Sequence, residues 1–513
     1  MVSDIRKRVA ERWGRVDYRS GTIEPAAKKS KSEVIDLTGS DSDNNSSNED
    51  EGQGSQIKSN YPFKLIKSQV FDKNTKNSKH LVDLRDVFND SSLRKSFLFS
   101  FQYELDFLLE QFHPNVQKIV LVAQEGTVLP PTTPKALSWV SKTHLCEFRM
   151  PPFTCHHSKL IINVYQDGSS QLFIPSNNFT YAETNYPQQV CWMSPRLRPC
   201  ATKVSNSFQL DLLNYLQSYN LGEINRYIIP EVKRIDFAPL EGTEFVYSTP
   251  SNKYLSGFQL LAQKLQGKEE NGDGHMSSYL SHYLCQSSSV GNSLSKKEPC
   301  NLFTHMIIPM LEGIFSKDSK KLPSTSQLLE DYRSHRIIPY LLYPTVQEIA
   351  DSPVGWLCSG WFNFNYHRDM AHYDMLRDDF KIFYKQKKTE LSLQRRATPA
   401  HSKFYMKSTT RNPNEIPFRE LDWCLFTSSN LSFSAWGKNL ARPRNYEVGV
   451  LLRSPNLHCQ SFVDLIYNTK LQSLPENTGG TTVSVPWTPC LVQYERIDET
   501  FCISKDYSEL SHS

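Results

Sequence analysis

The sequence predicts an α/β or α+β body made of two similar halves behind a polar, disordered tail. Three observations carry that expectation. Residues 1–57 are rich in Ser, Asn and Asp and lack aromatics after Tyr18; from about residue 59 strand-like and helix-like apolar runs alternate; and one set of polar residues recurs in order in both halves.

The tail is divided by charge. Residues 1–32 hold nine basic and four acidic residues, whereas residues 33–57 hold seven acidic residues and no Lys or Arg. The clusters Arg6, Lys7, Arg8 and Lys28, Lys29, Lys31 suit nuclear import or an ordinary solvated tail. The stretch VIDLTGSDSD, 34–43, places Val34, Ile35, Asp36 and Leu37 ahead of serines and acids. It resembles a SUMO-interacting motif, which adds a strand to a partner's sheet edge; the bland alternative is an acidic tail.

The body, 58–513, has 49 basic against 43 acidic residues, an excess that fits a polyanionic partner. The chain is 38% hydrophobic without an apolar run long enough to span a bilayer, and MVSDIRKRVAERW lacks a signal-peptide core, so an intracellular protein is expected. Eleven cysteines without a CxxC pair point to reduced thiols rather than a disulfide framework.

Along the body, KSFLFSFQYELDFLLEQF reads as a helix or a strand-to-helix entry, and VQKIVLVAQEG as a buried strand with a Gly exit. Helices are expected near 205–219 and 368–388, and surface loops at 266–274 and 316–328. Pro and Gly in RIDFAPLEGTE, 234–244, place the linker between a first domain, 58–237, and a second, 238–513.

The repeat carries the chemistry. HSKLIINVY and HSKFYMK share His, Ser and Lys before an apolar strand, then a turn and a second strand ending in SNN or SSN. A short helical run follows each, then a strand opened by Gln189 in QVCW or Glu447 in EVGV. The order His, Lys, Asn, Gln/Glu thus stands at 157, 159, 178, 189 and at 401, 403, 430, 447. Phosphodiester attack needs a nucleophile, an acid on the opposite side and donors between them. Alternation along a strand would send His157 with Lys159, and His401 with Lys403, into one cleft. One neutral imidazole can attack phosphorus while the other, protonated, serves the leaving oxygen. Both lysines, with Asn178 and Asn430, would hold phosphate oxygens without a metal, and Gln189 and Glu447 would fix the rings. His156 is expected to be structural, and a zinc site from Cys155, His156 and His157 lacks a second ligand pair.

These residues, with FQYELDFLL, PFTCHHSK, SNNFTYAETNYPQQVCW, SSSVGNSL, LLYPTVQ, TSSNLSFSAWG and NYEVGVLLRS, resemble the phospholipase D superfamily and, within it, the tyrosyl-DNA phosphodiesterases, in a fungal member. Phospholipase D motifs carry an Asp five residues after the Lys, where this chain has Val164 and Ser408; the tyrosyl-DNA enzymes lack that Asp as well. The resemblance implies two α/β/α halves related by a pseudo-two-fold axis, a monomer without cofactor or metal, and a nuclear enzyme of DNA repair. Its reaction would remove a topoisomerase I tyrosyl peptide, and other adducts, from a DNA 3′ phosphate. It assigns His157 as nucleophile, forming a phosphohistidine, and His401 as general acid and then base. It also implies DNA contacts at Tyr103, Phe153, Ser288 and Ser289, with core or helix-cap roles as the alternatives, and the aromatic run 359–366 would line the groove. The competing readings are a lipid phosphatidyltransferase of the same superfamily and a non-catalytic, SUMO-recruited DNA-binding scaffold.

Overall fold

β-Prone apolar runs form two eight-stranded sheets in the computed structural model. It describes residues 61–507 apart from 74, 76–77, 201–205, 267–278, 316–320, 368, 388–397, 413, 439–440 and 468–479. The tail features, including Val34–Leu37, lie outside the described residues, as does most of the loop expected at 266–274.

The first sheet contains β1 (Phe63–Ile66), β2 (Leu81–Val82), β3 (Leu93–Phe99), β4 (Lys118–Gln124), β5 (Thr143–Phe148), β6 (Leu160–Tyr165), β7 (Ser170–Pro175) and β8 (Val190–Met193), in the order β2-β1-β8-β7-β6-β3-β4-β5. The second contains β9 (Thr243–Ser248), β10 (Leu280–Gln286), β11 (Ile337–Leu342), β12 (Phe383–Lys385), β13 (Phe404–Thr410), β14 (Trp423–Thr427), β15 (Glu447–Leu452) and β16 (Val492–Gln493), in the order β9-β15-β14-β13-β10-β11-β12-β16. Without the edge strands β2 and β16 the two orders superpose strand for strand. Each has four antiparallel pairings followed by two parallel ones. The polar repeat is therefore the visible part of a duplicated topology.

Strands such as KIVLVAQ are apolar on both faces because both faces are covered. On one side Leu98, Ile119, Leu121 and Ile161 pack with the helices Leu84–Phe88 and Leu105–Leu109. On the other, Phe97, Val120, Leu160 and Ile162 join a core shared with Phe404, Phe426 and Val448 of the second half. The Phe63 ring lies 5.9 Å from that of Phe404 and 5.6 Å from that of Phe426. This shared core fixes the two sheets against each other, which a cleft built from both halves requires.

The run 95–112 takes the strand-to-helix alternative, and the helix expected near 205–219 spans Ser207–Ser218. Two expectations change. Among the described residues of 368–388, helix is confined to Met370–Asp374 and a wider turn at Met375–Asp379, because Phe383 and Tyr384 then pair with β11. The loop expected over 316–328 holds at 321–324 but ends earlier: 316–320 lie outside the described residues, and a helix, Thr325–Ser334, begins behind the Ser324 side-chain cap. Among the described residues no helix is long and apolar enough to cross a membrane.

Candidate active site

Both His-Ser-Lys segments lie just ahead of β6 and β13 rather than within them. Each lysine folds back, so that the Lys159 ammonium donates to the His157 carbonyl at 2.9 Å and the Lys403 ammonium to the His401 carbonyl at 2.5 Å. Each segment is bridged by backbone to the opposite half. The His157 amide donates to Tyr446 O at 2.9 Å and the Tyr446 amide to Cys155 O at 3.0 Å. In the same way, the His401 amide donates to Gln188 O at 2.9 Å and the Gln188 amide to Pro399 O at 3.3 Å.

The residue after each bridge reaches the ring it borders. Glu447 Oε2 lies 2.8 Å from His157 Nδ1, and Gln189 Nε2 lies 3.1 Å from His401 Nδ1. The supports are thus exchanged between halves. Gln189, not its neighbour Gln188, makes this contact; the Gln188 side chain donates to Thr398 O.

Two serines at matching places in the repeat orient these supports. Ser176 Oγ accepts from the Val190 amide and donates to Gln189 Oε1 at 2.5 Å, while Ser428 Oγ accepts from the Val448 amide and donates to Glu447 Oε2 at 2.7 Å. The same hydrogen bond has opposite consequences. With its oxygen taken, the Gln189 amide can offer only N–H, to Glu183 O at 2.9 Å and to His401 Nδ1. His401 must then accept at Nδ1 and carry its proton on Nε2. The Glu447 carboxylate has no proton to offer, so His157 donates from Nδ1 and its Nε2 keeps a lone pair. One neutral ring thus carries a lone pair on Nε2 and the other a proton.

Burial, more than charge, favours neutral rings. Burial lowers the His157 pKa; the Glu447 carboxylate opposes this and Lys159 and Lys403 add to it. His401 is held well below the ordinary histidine value by burial, then by Lys403, Lys159 and His157. Burial, with Lys159 beside it, pulls the Lys403 amine down to about 7, although Glu183 and Glu447 act in the opposite sense. Lys159 is also lowered by burial against those two carboxylates. Burial works against the Glu447 carboxylate as well, but His157, Ser428 and Asn445 outweigh it and hold its pKa low. Both lysine amines are wholly buried and lower the pKa of both rings, and neither is among the residues that line the cavity beside His157.

The two asparagines differ. Asn430 lines a cavity of about 230 Å³ with Cys155, His157, Ser289, Asn363 and Glu447, and its Oδ1 accepts from Ser287 and Ser288. Asn178 is drawn onto Glu183, which accepts from its backbone amide at 2.7 Å and its side-chain amide at 2.9 Å.

Several site expectations need correction. Tyr103 is completely buried; its ring stacks on Phe179, 5.6 Å away, and its hydroxyl donates to the carbonyls of Leu98 and Val122. It is a core residue, held in a two-residue strand, Tyr103–Glu104, that pairs with Val128–Leu129 just before the helix Leu105–Leu109. Tyr103→Phe is expected to cost about 1 kcal/mol in denaturant unfolding and leave DNA affinity unchanged, whereas loss of affinity without loss of stability would restore a ligand role. The aromatic beside the cleft is instead Phe101, half-buried and 6.4 Å from the His157 ring. Ser288 is buried with its hydroxyl committed to Asn430, so only Ser289 of that pair lines the cavity. Within 359–366, Trp361, Phe362 and Phe364 are buried, and Asn363 is the residue that faces the cavity. Phe153 stands 69% exposed at a backbone φ of 62°, a conformation uncommon for an aromatic residue, and keeps an open stacking face.

His156 is structural. It is fully buried between Ser100 O and the Tyr219 hydroxyl, and burial pushes its pKa down to about 3. Both of its nitrogens are engaged, which removes it from any metal set with Cys155 and His157. Glu183 and Asn445 stand outside the repeated order of polar residues. Asn445 ties the halves together by donating to Glu447 Oε1 and accepting from the Cys155 amide, and NYEVGV showed it only as a neighbour of Glu447.

Comparison with known proteins agrees with this geometry. The tyrosyl-DNA phosphodiesterase family model matches residues 62–495. Tyrosyl-DNA phosphodiesterase 1 of Saccharomyces cerevisiae is 40% identical over 98% of this chain and 97% of its own length. A probable tyrosyl-DNA phosphodiesterase of Schizosaccharomyces pombe is 23% identical over 73% of this chain and 78% of its own. The crystal structure of the yeast tyrosyl-DNA phosphodiesterase superposes with a TM-score of 0.76 at 42% identity, covering 86% of this chain and 99% of that one.

Proposed function

Since the chain belongs to the tyrosyl-DNA phosphodiesterase family, we propose that it hydrolyses the bond between a tyrosyl peptide, left by topoisomerase I, and a DNA 3′ phosphate. Other 3′ adducts would be removed by the same steps. His157 Nε2 attacks phosphorus, and His401 protonates the departing tyrosyl oxygen on the opposite side. Lys159, Lys403 and Asn430 hold the non-bridging oxygens, with Asn178 completing the cradle. His401 then activates the water that releases DNA from the phosphohistidine. One chain supplies both histidines, which suits a monomer.

The observation that carries this reading is the unequal support of the two rings: a carboxylate at 2.8 Å on His157 and an amide N–H at 3.1 Å on His401. Symmetric support would leave no reason for one ring to attack and the other to donate. Charge stabilisation in this scheme comes from two lysines rather than a metal.

An oligonucleotide carrying a 3′ phosphotyrosine is therefore expected to be cleaved to the 3′ phosphate in EDTA at the rate seen without it. No cleavage, with turnover of a phosphatidyl substrate instead, would establish the lipid-transferase reading. We assign nuclear import and SUMO binding to the tail. Deleting residues 1–57 is expected to abolish SUMO binding and leave this cleavage intact; an equal loss of both would end the separation of tail and body.

A further inference from the structure

Glu183 enters none of the steps above, yet it is the carboxylate nearest His401. Its Oε1 lies 3.5 Å from His401 Nδ1 in a residue that is 4% exposed. Both oxygens are fixed, Oε1 by the Asn178 amide and Oε2 by the Asn178 side chain, so the carboxylate cannot swing away. The repeat has no counterpart for it. Five residues after the motif Asn the first half has Glu183, and the second half, counted from Asn430, has the buried Ala435.

His401 needs such a partner. Its Nδ1 meets the N–H of Gln189, which suits a neutral ring and opposes a second ring proton. Yet a neutral imidazole is a very weak acid, and the leaving tyrosyl oxygen needs a proton. The charged groups around His401 are Lys159, Lys403 and Glu183, with His157 backed by Glu447. In the unliganded cleft the ammonium groups oppose an imidazolium. An incoming phosphate changes that balance by placing negative charge between the lysines.

We propose that Glu183 is a positioning residue and counter-ion for His401: phosphate binding lets the ring take up one proton, and the Nδ1–H it gains turns from the Gln189 amide to Glu183 Oε1. This deepens the proposed function and rests on it. The proton balance closes. The imidazolium gives its Nε2 proton to the tyrosyl oxygen as the phosphorus–oxygen bond breaks. What remains is a neutral ring with Nδ1–H on Glu183 and a lone pair on Nε2, the form that can take a proton from water in the second step. Departure of the DNA phosphate then releases the Nδ1 proton to solvent, and Gln189 recovers its acceptor.

The test compares two oligonucleotides, one with a 3′ phosphotyrosine and one with a 3′ 4-nitrophenyl phosphate, a far better leaving group that needs little proton assistance. Leaving-group release is followed in single turnover. Glu183→Gln is expected to slow tyrosine release about 100-fold and nitrophenolate release less than about 5-fold. With the negative charge gone the ring holds its proton less tightly, so the alkaline limb of the tyrosine profile should move to lower pH. Equal slowing of both substrates would reduce Glu183 to a prop for Asn178, and no slowing would remove it from the mechanism. If the wild-type protein releases neither leaving group, the proposed function itself fails.

A second measurement does not depend on the variant folding. Ring 15N spectra of histidine-labelled wild-type protein, with His401 assigned by its loss in His401→Asn, should show a neutral Nε2–H ring in the free protein. Addition of an oligonucleotide ending in a 3′ phosphate should produce an imidazolium. A ring neutral in both states, or charged in the free protein, would overturn the proposal.

Discussion

His157→Ala is expected to abolish turnover of a 3′ phosphotyrosyl oligonucleotide without forming a covalent adduct, whereas His401→Ala is expected to accumulate one. The difference follows from what each ring is prepared to do. His157 donates from Nδ1 to Glu447, so its Nε2 lone pair is the electron pair available to phosphorus. Alanine leaves nothing to form the nitrogen–phosphorus bond. Loss of His401 weakens both steps, but unequally. A phenolate can depart with help from solvent, while water is a poor nucleophile and the phosphohistidine must wait for it. Removing a general acid or base costs about 10²–10⁴ in rate, and the larger share should fall on the second step. A denaturing gel of radiolabelled DNA would reveal the adduct, and acid would release it as expected of a phosphohistidine. Equal adduct formation by both variants would reverse the assignment.

Glu447→Gln is expected to lower kcat about 100-fold or more while leaving the fold intact. The carboxylate accepts from His157 Nδ1, from Ser428 and from Asn445, all while almost wholly buried. A glutamine must place an NH₂ among these groups, and wherever it faces Nδ1 the ring loses the tautomer that exposes a lone pair on Nε2. The sign of the pH effect is separate. Burial lowers the pKa of His157 and the Glu447 charge opposes that shift. Without the charge the ring stays neutral to lower pH, so the acid limb of kcat/KM should move down even as the maximum falls. A limb that moved up, or an unchanged maximum, would show that Glu447 does not act on His157. Activity of the converse variant, Gln189→Glu, would report how far the amide at His401 is required, because that change places a carboxylate on both rings.

Much of the candidate site was legible because it is local. His157 and Lys159 are two residues apart, as are His401 and Lys403, and each pair precedes an apolar strand that the alternation already marks. The matching serines, Ser176 and Ser428, also stood in the repeat, as the first letters of SNN and SSN. Glu183 was legible only as a departure from the repeat, opposite Ala435, and a search for similarity passes over such a difference. Tyr103 misled because an aromatic beside a predicted cleft and an aromatic beneath it have the same letter; two backbone carbonyls waiting for its hydroxyl decide between them.

By itself, the sequence determined that there are two halves, that they share a strand pattern, and which polar residue types each brings. These are properties of period and order, which neighbouring residues carry. Only the tertiary structure decided the exchange of supports. Glu447 stands 290 residues from the ring it orients and Gln189 stands 212 from its own. Nothing in either half requires its support to serve the other half's histidine. That choice is made where the two sheets close on a common core and the Tyr446 and Gln188 backbones bridge to the segments that lead into the opposite half's strands. At that seam two nearly equivalent histidines become unequal, because a carboxylate there can only accept a proton while the amide, its oxygen held by Ser176, can only donate one.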